Sequence, residues 1–162
     1  GTKDLFDYAN NNPMFELYPV DYTNDVRIIS QHSNMVSINS CVEIDMTGQV
    51  CSESIGPRQL SGIGGQVDFV RGAKMSKGGK SIIACYATAK GGTISKIVPT
   101  LKAGTIVTTS RTDVDYVVTE FGVAHMRGSS LRKRAQELIN IAHPDFREQL
   151  RDEYKKVYGL PV

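Results

Sequence analysis

Apolar residues recur along this chain first at helical spacing, then alternately, and again at helical spacing toward the carboxyl end. Leu5, Phe6 and Ala9 precede Asn10-Asn11-Asn12-Pro13, so the first eleven residues read as a short helix with a stop signal. Phe15 to Val20 alternates, and Pro19 marks a strand near an edge or at its end. Asn24-Asp25 stand where they can cap a helical turn through Val26, Ile28 and Ile29. From Met35 to Ile44, the residues Val36, Ile38, Val42 and Ile44 fall at even spacing and predict a strand with one apolar face. Met46-Thr47-Gly48 turns this strand into Gln49–Ser54, a predicted β-hairpin.

Ser61-Gly62-Ile63-Gly64-Gly65-Gln66 is the most glycine-dense stretch, and Val67, Phe69, Val70 and Ala73 after it predict a helix. Ser81–Ala87 is a continuous apolar run, the pattern of a strand covered on both faces. Ile94–Val98, Ile106–Thr109 and Tyr116–Glu120 predict further strands. Leu131, Ala135, Leu138, Ile139 and Ala142 form a helical stripe after Ser129-Ser130, broken at Pro144. Phe146, Leu150, Tyr154 and Val157 predict a second helix, whose many charges read as a solvated face. Six to eight strands with terminal helices make an α/β domain.

Composition narrows the picture without changing it. At 162 residues the chain has the length of one domain, able to bury roughly 68–70% of its unfolded surface. With 19 Lys plus Arg against 17 Asp plus Glu, the net charge is only +2, which argues against nucleic acid or an anionic membrane as an obligatory partner, since both need a concentrated basic field. No apolar run approaches the ~18 residues of a membrane span and no signal pattern opens the chain, so a cytoplasmic setting is expected. Cys41, Cys51 and Cys85 form no C-x-x-C pair and read as buried small hydrophobes in a reducing compartment. His32, His125 and His143 are scattered, so no metal site is expected.

Two features carry candidate chemistry. Glycines at 62, 64 and 65 allow close approach to a ligand, and successive N–H groups ahead of a helix can cradle an anion; the same residues also suit a simple tight turn. The loop is not a dinucleotide fingerprint, because the sixth position is Val67. Nor is Gly79-Lys80-Ser81 a phosphate loop, since its leading glycine would fall at Lys74. Asn39, facing opposite to Ile38, is either a satisfied structural amide or a polar group projected into a cleft. Glu43, Asp45, Glu53, Asp68 and Glu120 have no histidine or second carboxylate at telling spacing and read as surface or turn residues.

Longer motifs are more specific. Ile38-Asn39-Ser40-Cys41-Val42-Glu43-Ile44-Asp45-Met46-Thr47-Gly48-Gln49-Val50 resembles a signature of class I CoA-transferases, as does Ser61-Gly62-Ile63-Gly64-Gly65-Gln66-Val67-Asp68-Phe69-Val70-Arg71-Gly72-Ala73. The segments 94–98 with Pro99, 118–124 and 139–147 are similar to the same family, in its acetyl-CoA hydrolase/transferase branch and nearest the 4-hydroxybutyrate CoA-transferases.

That resemblance implies a CoA-transferase-type α/β fold, an open mixed sheet flanked by helices, with residues 1–162 forming the carboxyl-terminal domain of an enzyme two to three times longer. Gly1 in place of an initiator Met fits a piece cut from such a protein. The family moves CoA between an acyl-CoA such as acetyl-CoA and a small carboxylate such as acetate or 4-hydroxybutyrate, through a glutamyl-CoA thioester in a ping-pong sequence. Coenzyme A is then a co-substrate, with no permanently bound cofactor and no metal. The nucleophilic glutamate lies in a Gly-x-His-Ser/Thr-Glu segment that this chain lacks, so the chain alone is expected to be inactive and its partner to be the amino-terminal half. Self-association through the face that half would cover is also expected.

By the same resemblance Gly65 lends its N–H to the oxyanion beside the CoA thioester, Gly62 and Gly64 shape the loop, and Gln66 lines it. Asn39 would orient the reacting carbonyl and Val42 would contact CoA. Lys90 and Lys96 are either CoA-phosphate contacts or solvated lysines. Acetyl-CoA hydrolysis and a stand-alone CoA-binding module are the alternatives.

Overall fold

The computed structural model describes residues 1–162. Helix α1 (Lys3–Ala9) is capped by the Thr2 hydroxyl, which accepts the Leu5 N–H, and helices α2 (Val20–Thr23) and α3 (Val26–Gln31) follow. The Asp25 carboxylate caps α3 at the Arg27 N–H, as the sequence predicts. Next come β1 (Val36–Asn39), β2 (Glu43–Asp45), β3 (Val50–Cys51), β4 (Ser54–Ile55) and β5 (Arg58–Gln59), then α4 (Gln66–Met75). Strand β6 (Lys80–Ala84) precedes three short segments, β7 (Thr88–Ala89), β8 (Ile94–Ser95) and β9 (Ile97–Val98). The chain closes with β10 (Tyr116–Thr119), β11 (Gly122–His125), α5 (Leu131–Ile141) and α6 (Pro144–Tyr158).

The principal sheet has the order β1-β6-β10-β11, parallel through β10 with an antiparallel β11 at its edge. A second sheet, β3-β2-β9, lies beside it, and one hydrophobic core joins the two through Ile44, Val50 and Ile97 on one side and Ile83, Val117 and Leu138 on the other. The expected open mixed sheet with flanking helices is what forms, from more and shorter strands than the six to eight anticipated.

Several local expectations change. Met35–Ile44 is two strands in two sheets, because at Ser40–Val42 the backbone leaves β6 and the Val42 N–H bonds the Cys51 carbonyl instead. The predicted hairpin survives as β2–β3. Its turn is built on the buried Asp45 carboxylate, which accepts the Thr47 N–H and hydroxyl and the Gln49 N–H and side-chain amide at 2.7–3.0 Å. Phe15–Val20 forms no strand, having no ladder to join, and runs into α2. Ile106–Thr109 makes one bridge to Val50 and no strand. Pro144 ends one helix and also occupies the first turn of the next, where its missing N–H is harmless.

Register explains which faces are covered. Ser37, Ser81, Ile83, Val117, Thr119 and Ala124 share the face on which α4 packs over β1 and β6 and α5 over β10 and β11, and all six are buried. Val36, Ile38, Ile82, Tyr116, Val118 and Val123 share the other face, where Ile38 is 67% and Val123 59% exposed. The run Ser81–Ala87 therefore makes a central strand, but its second face is only partly covered in this chain.

Helix α4 approaches α3 closely at Gly72, where an added Cβ would lie 2.3 Å from Ile29 Cγ2 and 2.5 Å from Ile29 Cβ. Neither atom is the free end of a flexible side chain. Gly72→Ala is expected to destabilise the domain by about 1–3 kcal/mol through overpacking, despite the better helix propensity of alanine, and a urea titration should read this as a lower midpoint.

Candidate functional site

Parallel pairing of β1 with β6 requires a crossover, and α4 supplies it. Running back along the sheet, α4 starts at the carboxyl ends of β1 and β6, the edge where open α/β sheets form their ligand crevices. The glycine loop enters α4 at this edge. Its first foot is held by the Glu53 carbonyl, which accepts the Leu60 and Ser61 N–H groups at 2.7 and 3.3 Å. Its second foot is Gln66, whose side-chain amide donates to the Thr109 hydroxyl at 3.0 Å.

Both feet rest on one frame. The N–H groups of Thr108 and Thr109 share the Val50 carbonyl at 2.8 and 3.1 Å. The Thr108 hydroxyl donates to the buried Glu53 carboxylate at 3.1 Å and accepts the Ser52 N–H at 2.9 Å. Between the feet, Gly62 and Gly64 face open space, and Gly64 takes a left-handed φ of +59°. Gly65 occupies the cap position of α4 without a side-chain cap, so the first N–H groups of the helix point outward at the loop. A Cβ on Gly65 would stand 2.4 Å from the Asn24 amide nitrogen, which itself donates to Asp68 in the first turn of α4 at 3.2 Å.

Asn39 is the last residue of β1, half-buried, with its side-chain nitrogen donating to Ser37 at 2.8 Å. It therefore lies at the same sheet edge as Gly65 and Gln66. Val42 is set in the link between the two sheets, and Lys90 in the β7–β8 turn.

An open cleft of about 440 Å³ lies at the carboxyl ends of β1, β6 and β10, lined chiefly by Ser40, Cys85, Tyr86, Lys96, Thr119 and Glu120. Lys96 donates to the Cys41 carbonyl at 2.9 Å, and Glu120 accepts the Ala87 N–H at 2.8 Å. Sequence reading takes Glu120 as a surface or turn carboxylate and Cys85 as a buried hydrophobe, and passes over Tyr86; the structure places all three in the cleft, with Cys85 only half-buried. The available signal is positional: each follows immediately after a parallel strand, where side chains reach the crevice. The Cys41 and Cys85 thiols also interact. Accepting a hydrogen bond from Cys41, with Lys96 close by, holds Cys85 below the usual thiol range; donating that bond, together with burial, pushes Cys41 up.

A helix start with free N–H groups, a glycine approach and a cleft bearing one ammonium and one carboxylate can receive an anionic, elongated ligand. Comparison with known proteins gives this arrangement a family. The model of the acetyl-CoA hydrolase/transferase C-terminal domain matches residues 1–154. The chain belongs to that family. It is 64% identical over 156 residues to the 4-hydroxybutyrate coenzyme A transferase of Clostridium kluyveri, covering 96% of this chain and 36% of that protein. The crystal structure of RipA from Yersinia pestis superposes with a TM-score of 0.92 at 47% identity, over 99% of this chain and 36% of the other. A 4-hydroxybutyrate CoA-transferase structure from Porphyromonas gingivalis gives 0.80 at 51% identity, over 98% and 36%. The chain thus spans about a third of the length of the relatives it matches.

Within this family domain the Gln66–Thr109 bond is the loop's second anchor, and Thr109 is fully buried. Thr109→Val keeps the shape and removes the acceptor. Amide exchange over residues 62–66 is expected to quicken while the sheet stays protected, with a stability loss of about 1 kcal/mol. Hydrogen exchange read by mass spectrometry checks both.

Proposed function

We propose that this chain is the CoA-binding, carboxyl-terminal part of a CoA-transferase that moves CoA between an acyl-CoA, such as acetyl-CoA, and a small carboxylate, such as 4-hydroxybutyrate. The observation that carries the proposal is the glycine loop, fixed at both ends and set at the amino end of α4 on the crevice edge of the sheet. Family membership and the 64% identity to a 4-hydroxybutyrate coenzyme A transferase support the same reading.

In this reading the Gly65 N–H and the first amides of α4 face the thioester carbonyl. A donor fixed in advance stabilises the oxyanion that develops as the carbonyl is attacked, and on the order of 2.7–4 kcal/mol is typical for one such donor. Glycine at 64 and 65 keeps side chains out of the approach, since Gly64 needs its positive φ and Gly65 is crowded by Asn24. Asn39, across the edge, orients the reacting carbonyl, and Gln66 and Val42 border the bound CoA. The nucleophilic carboxylate comes from the amino-terminal part of the longer protein. That part also covers the apolar sheet face of Ile38, Ile82, Val118 and Val123, which in this chain lacks a covering layer.

The test uses the longer protein that contains this chain. Exchange between acetyl-CoA and 4-hydroxybutyrate is expected with the intact protein and not with residues 1–162 alone. Gly65→Val is expected to lower kcat/KM by about a hundredfold or more, the scale of one lost oxyanion donor. Unchanged turnover in that variant would remove the loop from the reaction, and free acetate appearing without an acceptor would make the enzyme a hydrolase.

A further inference from the structure

Lys96 is the one cation on the wall of the cleft. Its root is fixed: its backbone N–H donates to the Ala87 carbonyl and its carbonyl accepts the Ile44 N–H, both at 2.9 Å. The half-buried side chain turns back to the Cys41 carbonyl, 2.9 Å from Nζ, and joins none of the ion pairs of the chain. Glu120, the carboxylate of the same cleft, is drawn instead to the Ala87 N–H at 2.8 Å. Lysine has three N–H donors, so two remain on a partly desolvated ammonium that no anion balances. Ala84 and Val118 add apolar wall, and about 440 Å³ gives room for a small organic acid.

Position decides which anion the ammonium meets. Ser40 lines the cleft and directly follows Asn39, the residue set beside the reacting carbonyl in the reading above. The phosphates of CoA lie at the far end of its pantetheine arm from the thioester. An ammonium in a cleft that adjoins Asn39 therefore faces the acyl end, where the small carboxylate enters.

We propose that Lys96 binds the carboxylate of the incoming acid, such as 4-hydroxybutyrate, through one oxygen and leaves the other free to react. The assignment rests on the CoA-transferase reading and adds its acceptor subsite. The free oxygen attacks the glutamyl-CoA carbonyl; a C–O bond forms, the C–S bond breaks and CoA leaves as its thiolate. The thiolate then attacks the acyl carbonyl of the resulting anhydride, and the glutamate departs as a carboxylate. Protons balance without a general acid or base, so the task of Lys96 is to hold and orient one anion.

The test uses the longer protein, loaded with CoA on its glutamate by acetyl-CoA and then freed of excess donor. Intact mass reports the loading, and discharge is followed against 4-hydroxybutyrate concentration. Lys96→Gln removes the charge but keeps a donor for the Cys41 carbonyl. This variant is expected to load to completion and to need at least about tenfold more 4-hydroxybutyrate for half-maximal discharge, the scale of one charge-assisted hydrogen bond. Lys96→Arg, which keeps the charge, is expected to recover most of that loss. Half-saturation of Lys96→Gln at the unsubstituted concentration would overturn the assignment. So would a Lys96→Gln protein that does not load, since that places Lys96 in CoA binding or in folding. An unsubstituted protein that never loads would overturn the CoA-transferase reading and the acceptor subsite together.

Discussion

The parallel pairing of β1 with β6 is the constraint from which the rest of the molecule follows. Two parallel neighbours cannot be joined by a tight turn, so the chain must leave the end of one strand and return to the start of the next. Here the return path contains two strands of the smaller sheet, β2 and β3, then the glycine loop and α4. The helix lies back over the face carrying Ser37, Ser81 and Ile83, and its amino end is thereby delivered to the edge where Asn39 and the cleft residues emerge. One pairing therefore fixes the positions of the loop and the cleft.

What keeps the loop in place is polar and local. Glu53 lies in the core without a basic partner and is satisfied by hydroxyl and amide donors, above all Thr108. A buried carboxylate held in this way is costly to disturb, because each donor it loses leaves a desolvated group behind. The frame formed by residues 50–54 and Thr108–Thr109 connects the loop's two feet by short hydrogen-bonded paths. The glycines between them make only local contacts, Gly62 with the Ser61 hydroxyl and Gly65 with the Phe69 N–H, so their position is set largely by the frame.

The helices other than α2 and the central strand were legible in the sequence because each is decided by local periodicity and caps: Asp25 before α3, Ser130 before α5, and the apolar run that became β6. The glycine loop and the helix after it were readable for the same reason. The residues that changed partners were not. Val36 and Ile38 share a period with Val42 and Ile44, yet the chain switches sheets between them, and alternation carries no record of which strand a segment will pair with. Thr109 and Glu53 were illegible as loop anchors, since their roles come from contacts across 43 and 55 positions of sequence. That Cys85 and Glu120 share a cleft became visible only once β6 and β10 were known to be parallel neighbours.

The three glycines of the loop are not equivalent before selection. Position 62 has a backbone that any residue can adopt and empty space around it, so only what approaches the loop from outside limits a side chain there. Position 64 also has space, but its positive φ admits little beyond glycine, asparagine or aspartate. Position 65 has an ordinary backbone, but a side chain could enter there only if the Asn24 amide swung away from its bond to Asp68. The loop is thus constrained by the ligand side at one site, by backbone conformation at the next and by the Asn24–Asp68 hydrogen bond at the third.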